Sequence, residues 1–147
     1  MKCNVDAALF TDGAGFGAVV RSHEGRFIAA KGGRLGCIQD PLLAEAYAVE
    51  QALDWIRSFN FNNVIVEIDC LMFSSTFNSR HSDFSYVGSI VKQCIQIASD
   101  IGNVQVRHVK RSVNHVAHVL ARATGSSSVL GSWSSHPPSC IAALISY

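Results

Sequence analysis

Three acidic residues lie at positions where a charged side chain is costly to bury. Asp6 lies within an apolar run near the N-terminus, and Asp69 directly follows the apolar segment Val64–Ile68. Glu45 is separated from Val49 and from later apolar residues by helical spacing. Its side chain therefore projects from the helix face that should pack on a sheet. A buried carboxylate is costly unless it is paired, protonated or bound to a metal. Each acid taken alone is consistent with a polar side chain whose hydrogen bonds are satisfied within the protein. The three acids together indicate a cation site.

The elements that must position these acids follow from apolar patterning and turn residues. Asp40 and Pro41 form a helix start, with Asp40 as the N-cap and Pro41 in the first turn. The predicted strands are 3–10, 16–21, 26–31, 64–68 and 104–109, and the predicted helices are 41–59, 70–78, 86–97 and 114–124. The order βββαβααβα is typical of an α/β domain with a mixed five-stranded sheet, three antiparallel strands followed by parallel ones, with helices packed on it.

The composition is that of one compact globular domain. The chain has 147 residues, of which 48% are hydrophobic and 16% charged, so global disorder is excluded. No apolar run approaches membrane-spanning length, and five scattered cysteines indicate reduced thiols. We therefore expect a cytoplasmic or nuclear protein that is not secreted and has no membrane partner. We place the domain at residues 1–124 and a Ser-rich tail at 125–147, which either docks or frays.

The charges divide unevenly along the chain. Residues 1–100 carry 8 Lys and Arg against 11 Asp and Glu, a net charge of −3, whereas residues 101–147 carry 4 Lys and Arg and no acid, a net charge of +4. Taken alone, the basic residues of the last third fit a solvated surface. An acidic body with a basic last third could also hold cations at one place and a polyanion at another.

Several short blocks, in this order, resemble one known family. They are Asn4-Val5-Asp6, Gly17-Ala18-Val19-Val20-Arg21, His23-Glu24-Gly25-Arg26, Ala44-Glu45-Ala46, Val66-Glu67-Ile68-Asp69, His108-Val109-Lys110-Arg111 and Asn114-His115-Val116-Ala117-His118-Val119-Leu120-Ala121-Arg122. Over about residues 2–124 the sequence resembles the ribonuclease H type 1 fold family. The resemblance is greatest to the ribonuclease H-like (reverse transcriptase-like) domains of plant non-LTR retrotransposons and their domesticated relatives.

The resemblance implies a ribonuclease H-like fold and an endonuclease that hydrolyses the RNA strand of RNA–DNA hybrids. It assigns Asp6, Glu45 and Asp69 as ligands of two Mg²⁺ or Mn²⁺ ions and as catalytic residues, and it places His118 at the fourth catalytic position. The candidate nucleic-acid contacts are Lys110, Arg111, Asn114 and Arg122. The implied partner is an RNA–DNA hybrid or another nucleic acid, and we expect a monomer.

Two departures from the family pattern leave a second interpretation open. His118 replaces the family's fourth acid, and imidazole is a poor Mg²⁺ ligand. The family's histidine in the loop before the last helix has no match, since Arg111-Ser112-Val113 lacks an imidazole. The alternative is therefore a catalytically weak or inactive domesticated module that binds nucleic acid or a protein partner.

Overall fold

The structure is a computed structural model that describes residues 1–79, 85–126 and 129–145. The strands in this part of the chain are β1 (Lys2–Phe10), β2 (Gly13–Arg21), β3 (Phe27–Gly36), β4 (Val64–Ile68), β5 (Val104–His108) and β6 (Gly131–Trp133). The helices are α1 (Pro41–Arg57), α2 (Leu71–Ser79), α3 (Tyr86–Ile101), α4 (His115–Ala123) and α5 (Ser139–Ala142). No helix among the described residues is long and apolar enough to cross a membrane.

The strands form one mixed sheet in the order β5-β4-β1-β2-β3-β6. β1, β2 and β3 pair antiparallel, whereas β4 pairs parallel with both β1 and β5. The predicted α/β class and mixed sheet are confirmed, but the predicted number of five strands is wrong. A sixth strand, Gly131–Trp133, pairs antiparallel with β3. This strand has no apolar pattern of its own, and the free edge of β3 supplies its hydrogen-bonding partners.

Helices cover both faces of the sheet, as the alternation along β2 illustrates. Ala18 and Val20 pack in a core with residues of α1, α2 and α3. Val19 points to the other face, where it packs with Leu120 of α4 and Ile141 of α5. The described part of the Ser-rich segment thus contributes a strand and a fully buried Ile141.

The start of α1 follows the predicted cap. Asp40 Oδ1 accepts hydrogen bonds from the Leu42 amide at 2.9 Å and the Leu43 amide at 3.3 Å, and Pro41 is the first helical residue. The helix ends at Arg57, two residues earlier than predicted, and Asn60 then adopts a φ of +58°. The cap sets where the helix begins and so places Glu45 in its second turn.

A glycine allows α4 to lie close to the sheet. A Cβ atom on Gly17 would lie 2.7 Å from the Ala121 nitrogen and 2.9 Å from the Ala117 oxygen, closer than real Cβ contacts allow. Gly17 is also the register partner of Asp6 on the neighbouring strand. The missing side chain therefore lets α4 approach the sheet beside Asp6.

Candidate active site

Three acids from three elements converge at one edge of the sheet. Asp6 lies in β1, Glu45 in α1, and Asp69 directly after β4. One carboxylate oxygen of each residue lies within 4.8 Å of those of the other two. β1 and β4 run parallel as neighbours, and Asn4 is the register partner of Glu67. Asp6 and Asp69 each lie two residues further along the chain, so the register places them side by side. The structure therefore brings together the three acids that the sequence predicts to meet.

Burial and mutual repulsion oppose full ionisation of this acid cluster. Burial raises the pKa of Glu45 well above its ordinary value, and repulsion from the carboxylates of Asp6 and Asp69 raises it further. Burial also raises the pKa of Asp6. The adjacent Glu45 side chain and the contact with His118 oppose that increase, whereas repulsion from Asp69 adds to it. Without a positive partner, the acid cluster therefore tends to retain a proton.

Two oxygens of the cluster lack partners. Glu45 Oε2 and Asp69 Oδ2 are buried and accept no hydrogen bond from any described residue. The other Glu45 oxygen accepts a hydrogen bond from the Ala7 amide at 3.3 Å. Asp69 Oδ2 lies 3.6 Å from Arg111 Nε, which is an ion pair without hydrogen-bond geometry. Buried carboxylate oxygens without donors are the hard ligands that Mg²⁺, Mn²⁺ and Ca²⁺ prefer, so this donor set fits a divalent cation.

His118 contacts the acid cluster from α4. Its Nδ1 atom lies 2.9 Å from Asp6 Oδ2, and its side chain is 32% exposed whereas that of Asp6 is 1% exposed. When Asp6 is ionised, its carboxylate can only accept a hydrogen bond, so Nδ1 then carries the hydrogen and donates it. The residue at the family's fourth catalytic position thus touches the cluster, as a hydrogen-bond donor to one of its acids.

A buried polar network, which sequence reasoning missed, lies beside the acids. Asn4 is fully buried, and its Nδ2 donates to Glu67 Oε1 and to Asn114 Oδ1, each at 3.1 Å. Arg21 Nη2 donates to Asn4 Oδ1 at 2.7 Å. A sequence signal for this network exists: Asn4 and Glu67 each lie two residues before a cluster acid, on the same strand face.

The network corrects the role expected for Asn114. Its side chain is fully buried, and its Nδ2 donates to the Val5 carbonyl at 2.9 Å while its Oδ1 accepts from Asn4. The side chain therefore cannot reach a nucleic acid on the surface. Instead it fastens the residue before α4 to β1, the strand that carries Asp6.

The remaining predicted contacts are cationic and exposed. Lys110 and Arg111 lie in the turn between β5 and α4, and Arg122 lies near the end of α4. Arg122 Nη1 donates to the Leu9 carbonyl at 3.1 Å, and its guanidinium lies 5.1 Å from the Phe10 ring centroid. A groove beside the acid cluster is lined by Ala7, Leu9, Glu45, Arg111, His118 and Arg122, among others. Two guanidinium groups thus border the groove that contains Glu45.

Comparison with known proteins gives a family and a fold. The sequence profile of a family described as reverse transcriptase-like matches residues 4–124. RNase H1 of the halophilic archaeon Halobacterium salinarum is 20% identical, with a TM-score of 0.76 over 84% of this chain and 95% of that one. An N-terminal RNase H domain from Mycobacterium tuberculosis is 19% identical, with a TM-score of 0.74 over 85% and 98% of the two chains.

A third structure was determined with a nucleic acid. LC11-RNase H1, isolated from compost, was solved in complex with an RNA/DNA hybrid. In that complex it is 17% identical to this chain, with a TM-score of 0.69 over 83% of this chain and 94% of that one. At these identities the likeness shows the fold alone. No curated protein sequence matches the chain.

Proposed function

Since this chain belongs to the reverse transcriptase-like family, whose profile matches residues 4–124, we propose that it is a metal-dependent endonuclease that hydrolyses the RNA strand of RNA–DNA hybrids. One observation carries this proposal. Asp6, Glu45 and Asp69 bring carboxylate oxygens within 4.8 Å of one another, and two oxygens of the cluster are buried without a hydrogen-bond partner. The affiliation with plant non-LTR retrotransposons remains a prediction.

Asp6, Glu45 and Asp69 are the residues that would hold Mg²⁺ or Mn²⁺, with two ions in the working complex as the resemblance implies. Divalent cations bound there would stabilise charge on the scissile phosphate and generate a nucleophile from water. The protein contributes a fixed arrangement of ligands, since two of the acids are held by adjacent parallel strands and the third by a capped helix.

The protein's own side chains would orient the substrate. Arg111 and Arg122 line the same groove as Glu45 and His118, so a phosphodiester backbone in the groove would meet guanidinium groups beside the acids. His118 holds the Asp6 carboxylate in one orientation through its 2.9 Å hydrogen bond. A hybrid displays 2′-hydroxyl groups on one strand only, and groove shape and 2′-hydroxyl contacts are how proteins distinguish RNA from DNA strands.

The test is cleavage of a labelled RNA–DNA hybrid by purified protein in Mg²⁺ and in Mn²⁺. We expect cleavage of the RNA strand that falls by at least about 100-fold in Asp6→Asn, because the chemistry depends on the cation ligands. Asp12→Asn is the matched control, since Asp12 is exposed and pairs with Arg34 outside the cluster. Equal cleavage by Asp6→Asn would point to a contaminating nuclease and contradict the proposal.

A second candidate function is a module that binds nucleic acid or a protein partner without cleaving. The observation that favours it is His118, which offers a hydrogen bond to Asp6 where the family has an acid. Hybrid binding without cleavage in either metal, even after His118→Asp, would support this candidate over the nuclease.

A further inference from the structure

The strands that carry two of the acids are fastened together just before the acids themselves. Among the described residues, the backbone pairing between β1 and β4 ends at Asn4 and Glu67. Each of these residues precedes an acid by two positions, Asn4 before Asp6 and Glu67 before Asp69. Both are buried, and Asn4 Nδ2 donates to Glu67 Oε1 at 3.1 Å. This side-chain hydrogen bond therefore joins the strands at the last paired position before the acid cluster.

The same amide of Asn4 also holds the start of α4. Its Nδ2 donates to Asn114 Oδ1 at 3.1 Å, and Asn114 Nδ2 donates to the Val5 carbonyl at 2.9 Å. The backbone carbonyl of Asn114 accepts a hydrogen bond from the His118 amide at 3.1 Å. Asn4 therefore bonds to the residue whose carbonyl begins the helical turn that carries His118.

The chemistry of the partners leaves one orientation for each of these amides. The Val5 carbonyl can only accept, so Asn114 directs its Nδ2 towards that carbonyl and its Oδ1 towards Asn4. On the other side Arg21 can only donate, and its Nη2 donates to Asn4 Oδ1 at 2.7 Å. Both hydrogens and the oxygen of the Asn4 amide are thus used. Removing this amide would leave polar groups on three other elements without their partner.

We infer that Asn4 and Glu67 are positioning residues for the proposed active site, which fix β1, β4 and α4 relative to one another where these elements present Asp6, Asp69 and His118. The inference rests on the proposed function and extends it to residues outside the acid cluster. Both residues act through the acids, by hydrogen bonds that set where the acids lie. Replacing groups that orient metal ligands typically lowers metal affinity or activity by about 10- to 100-fold.

The test measures the affinity of the full chain for Mn²⁺ well below its Tm, where a loss of stability alone leaves the affinity unchanged. We expect Asn4→Ala to bind Mn²⁺ at least about 10-fold more weakly than the natural protein. Glu67→Leu and Glu67→Gln form a matched pair, because both remove the charge but only Gln keeps an oxygen that accepts from Asn4. Glu67→Leu should lose as much affinity as Asn4→Ala, and Glu67→Gln should recover most of that loss.

Two further measurements complete the design. Asn78→Ala is the control, since the Asn78 amide donates to the Val106 carbonyl at 3.1 Å from the last turn of α2, and it should keep the natural affinity. Long-range ¹H–¹⁵N NMR in a chelator reports on His118, whose Nδ1 lies 2.9 Å from Asp6 Oδ2. In Asn4→Ala the Nδ1 resonance should move towards that of free histidine.

Natural Mn²⁺ affinity in Asn4→Ala, or equal affinities in Glu67→Gln and Glu67→Leu, would overturn the inference. If Asn4→Ala does not fold, the Glu67 pair decides. Failure of the proposed function is distinguishable, because none of these readouts requires cleavage. If the natural protein binds Mn²⁺ without cleaving a hybrid, the nuclease fails and the same comparisons still judge the inference. If the natural protein binds no Mn²⁺, the His118 resonance decides, and an unchanged signal in Asn4→Ala removes the inference.

Discussion

At the scale of single residues, the acid cluster places like charges together against their mutual repulsion. Burial is the largest cause of the raised pKa of Asp6 and of Glu45, and repulsion from Asp69 raises both pKa values further. The side chain of Asp69 is only 11% exposed, and its Oδ2 has no hydrogen-bond donor. The folded protein without a cation therefore carries a local electrostatic cost, which a bound ion would remove.

Replacing Asp69 tests that cost. We expect Asp69→Asn to be as stable as the natural protein or more stable without metal, by up to about 1 kcal/mol or roughly 2–4 °C in Tm. The increase in Tm on adding Mg²⁺ or Mn²⁺ should be largely lost, because ligands that bind the folded state stabilise it by mass action. Thermal unfolding with and without metal measures both effects. Asp12→Asn should keep the full metal response, and an unchanged response in Asp69→Asn would count against the site.

Glu45 should make the stability of the metal-free protein depend on pH. Its pKa in the folded state lies well above the ordinary value of 4.5, chiefly because it is buried. Between these two values the folded state binds more protons than the unfolded state. The stabilisation that protonated Glu45 gives to the folded state is therefore fully present below its ordinary pKa. It is lost as the pH rises through the raised pKa of the folded state.

Glu45→Gln removes this titration, so its Tm should vary less with pH than that of the natural protein. Thermal unfolding in a chelator across about pH 4 to pH 8 compares the two proteins over the range in which a raised carboxyl pKa acts. If the Tm of the two proteins varied with pH in the same way, Glu45 would not be the group responsible for the pH dependence. Metal affinity should rise with pH over the same range, because the cation binds the ionised carboxylates.

At the scale of the elements, the position of α4 depends on how closely it lies on β2. Gly17→Ala would place a Cβ atom 2.7 Å from the backbone nitrogen of Ala121. Because backbone atoms on a packed helix cannot shift cheaply, we expect a loss of about 1–3 kcal/mol in the free energy of unfolding. Chemical denaturation measures this loss.

Gly32→Ala is the graded control for this prediction. Its added Cβ would meet the Val129 oxygen at 3.1 Å and Thr124 Cγ2 at 3.2 Å, contacts that are tight but less severe. The loss should therefore be smaller than for Gly17→Ala. A larger loss at Gly32 would mean that the contact between α4 and β2 does not limit the packing.

At the scale of the whole molecule, the last third of the chain has a net positive charge because it contains no acidic residue. Residues 101–147 contain 4 Lys and Arg and no acid. Two of these cations, Arg111 and Arg122, line the groove beside the acid cluster, and Lys110 is exposed next to Arg111. A polyanion would therefore meet the cationic surface at the edge of the proposed site.

Binding of a hybrid should weaken as salt rises, because each neutralised phosphate releases counterions. Lys110→Ala and Arg122→Ala should each reduce the slope of log K against log salt by about 0.7 to 1, measured by fluorescence anisotropy in a chelator. Arg57→Ala is the control, since Arg57 lies at the end of α1 and pairs with Asp54 and Asp100. Equal slopes for all three variants would contradict a nucleic-acid role for Lys110 and Arg122.

Local patterning in the sequence predicts most of the elements and the meeting of the acids. The strand Val64–Ile68 has the predicted bounds, and Asp40 caps α1 as expected, because apolar runs and caps depend on neighbouring residues. The convergence of Asp6 and Asp69 agrees with the prediction, but it depends on the register of β1 against β4, which local patterning does not specify. Their catalytic and metal-binding roles, and those of Glu45 and His118, remain predictions that the experiments above address.

Tertiary structure alone decides the remaining features. The strand β6 forms only because the edge of β3 offers partners, and no sequence pattern marks it. Asn114 is buried against β1 rather than exposed to a nucleic acid. The bond from His118 to Asp6 joins residues 112 positions apart. This bond depends on how closely α4 packs on β2. A side-chain hydrogen bond forms only within a narrow range of distances, and local sequence patterning does not specify distances that finely.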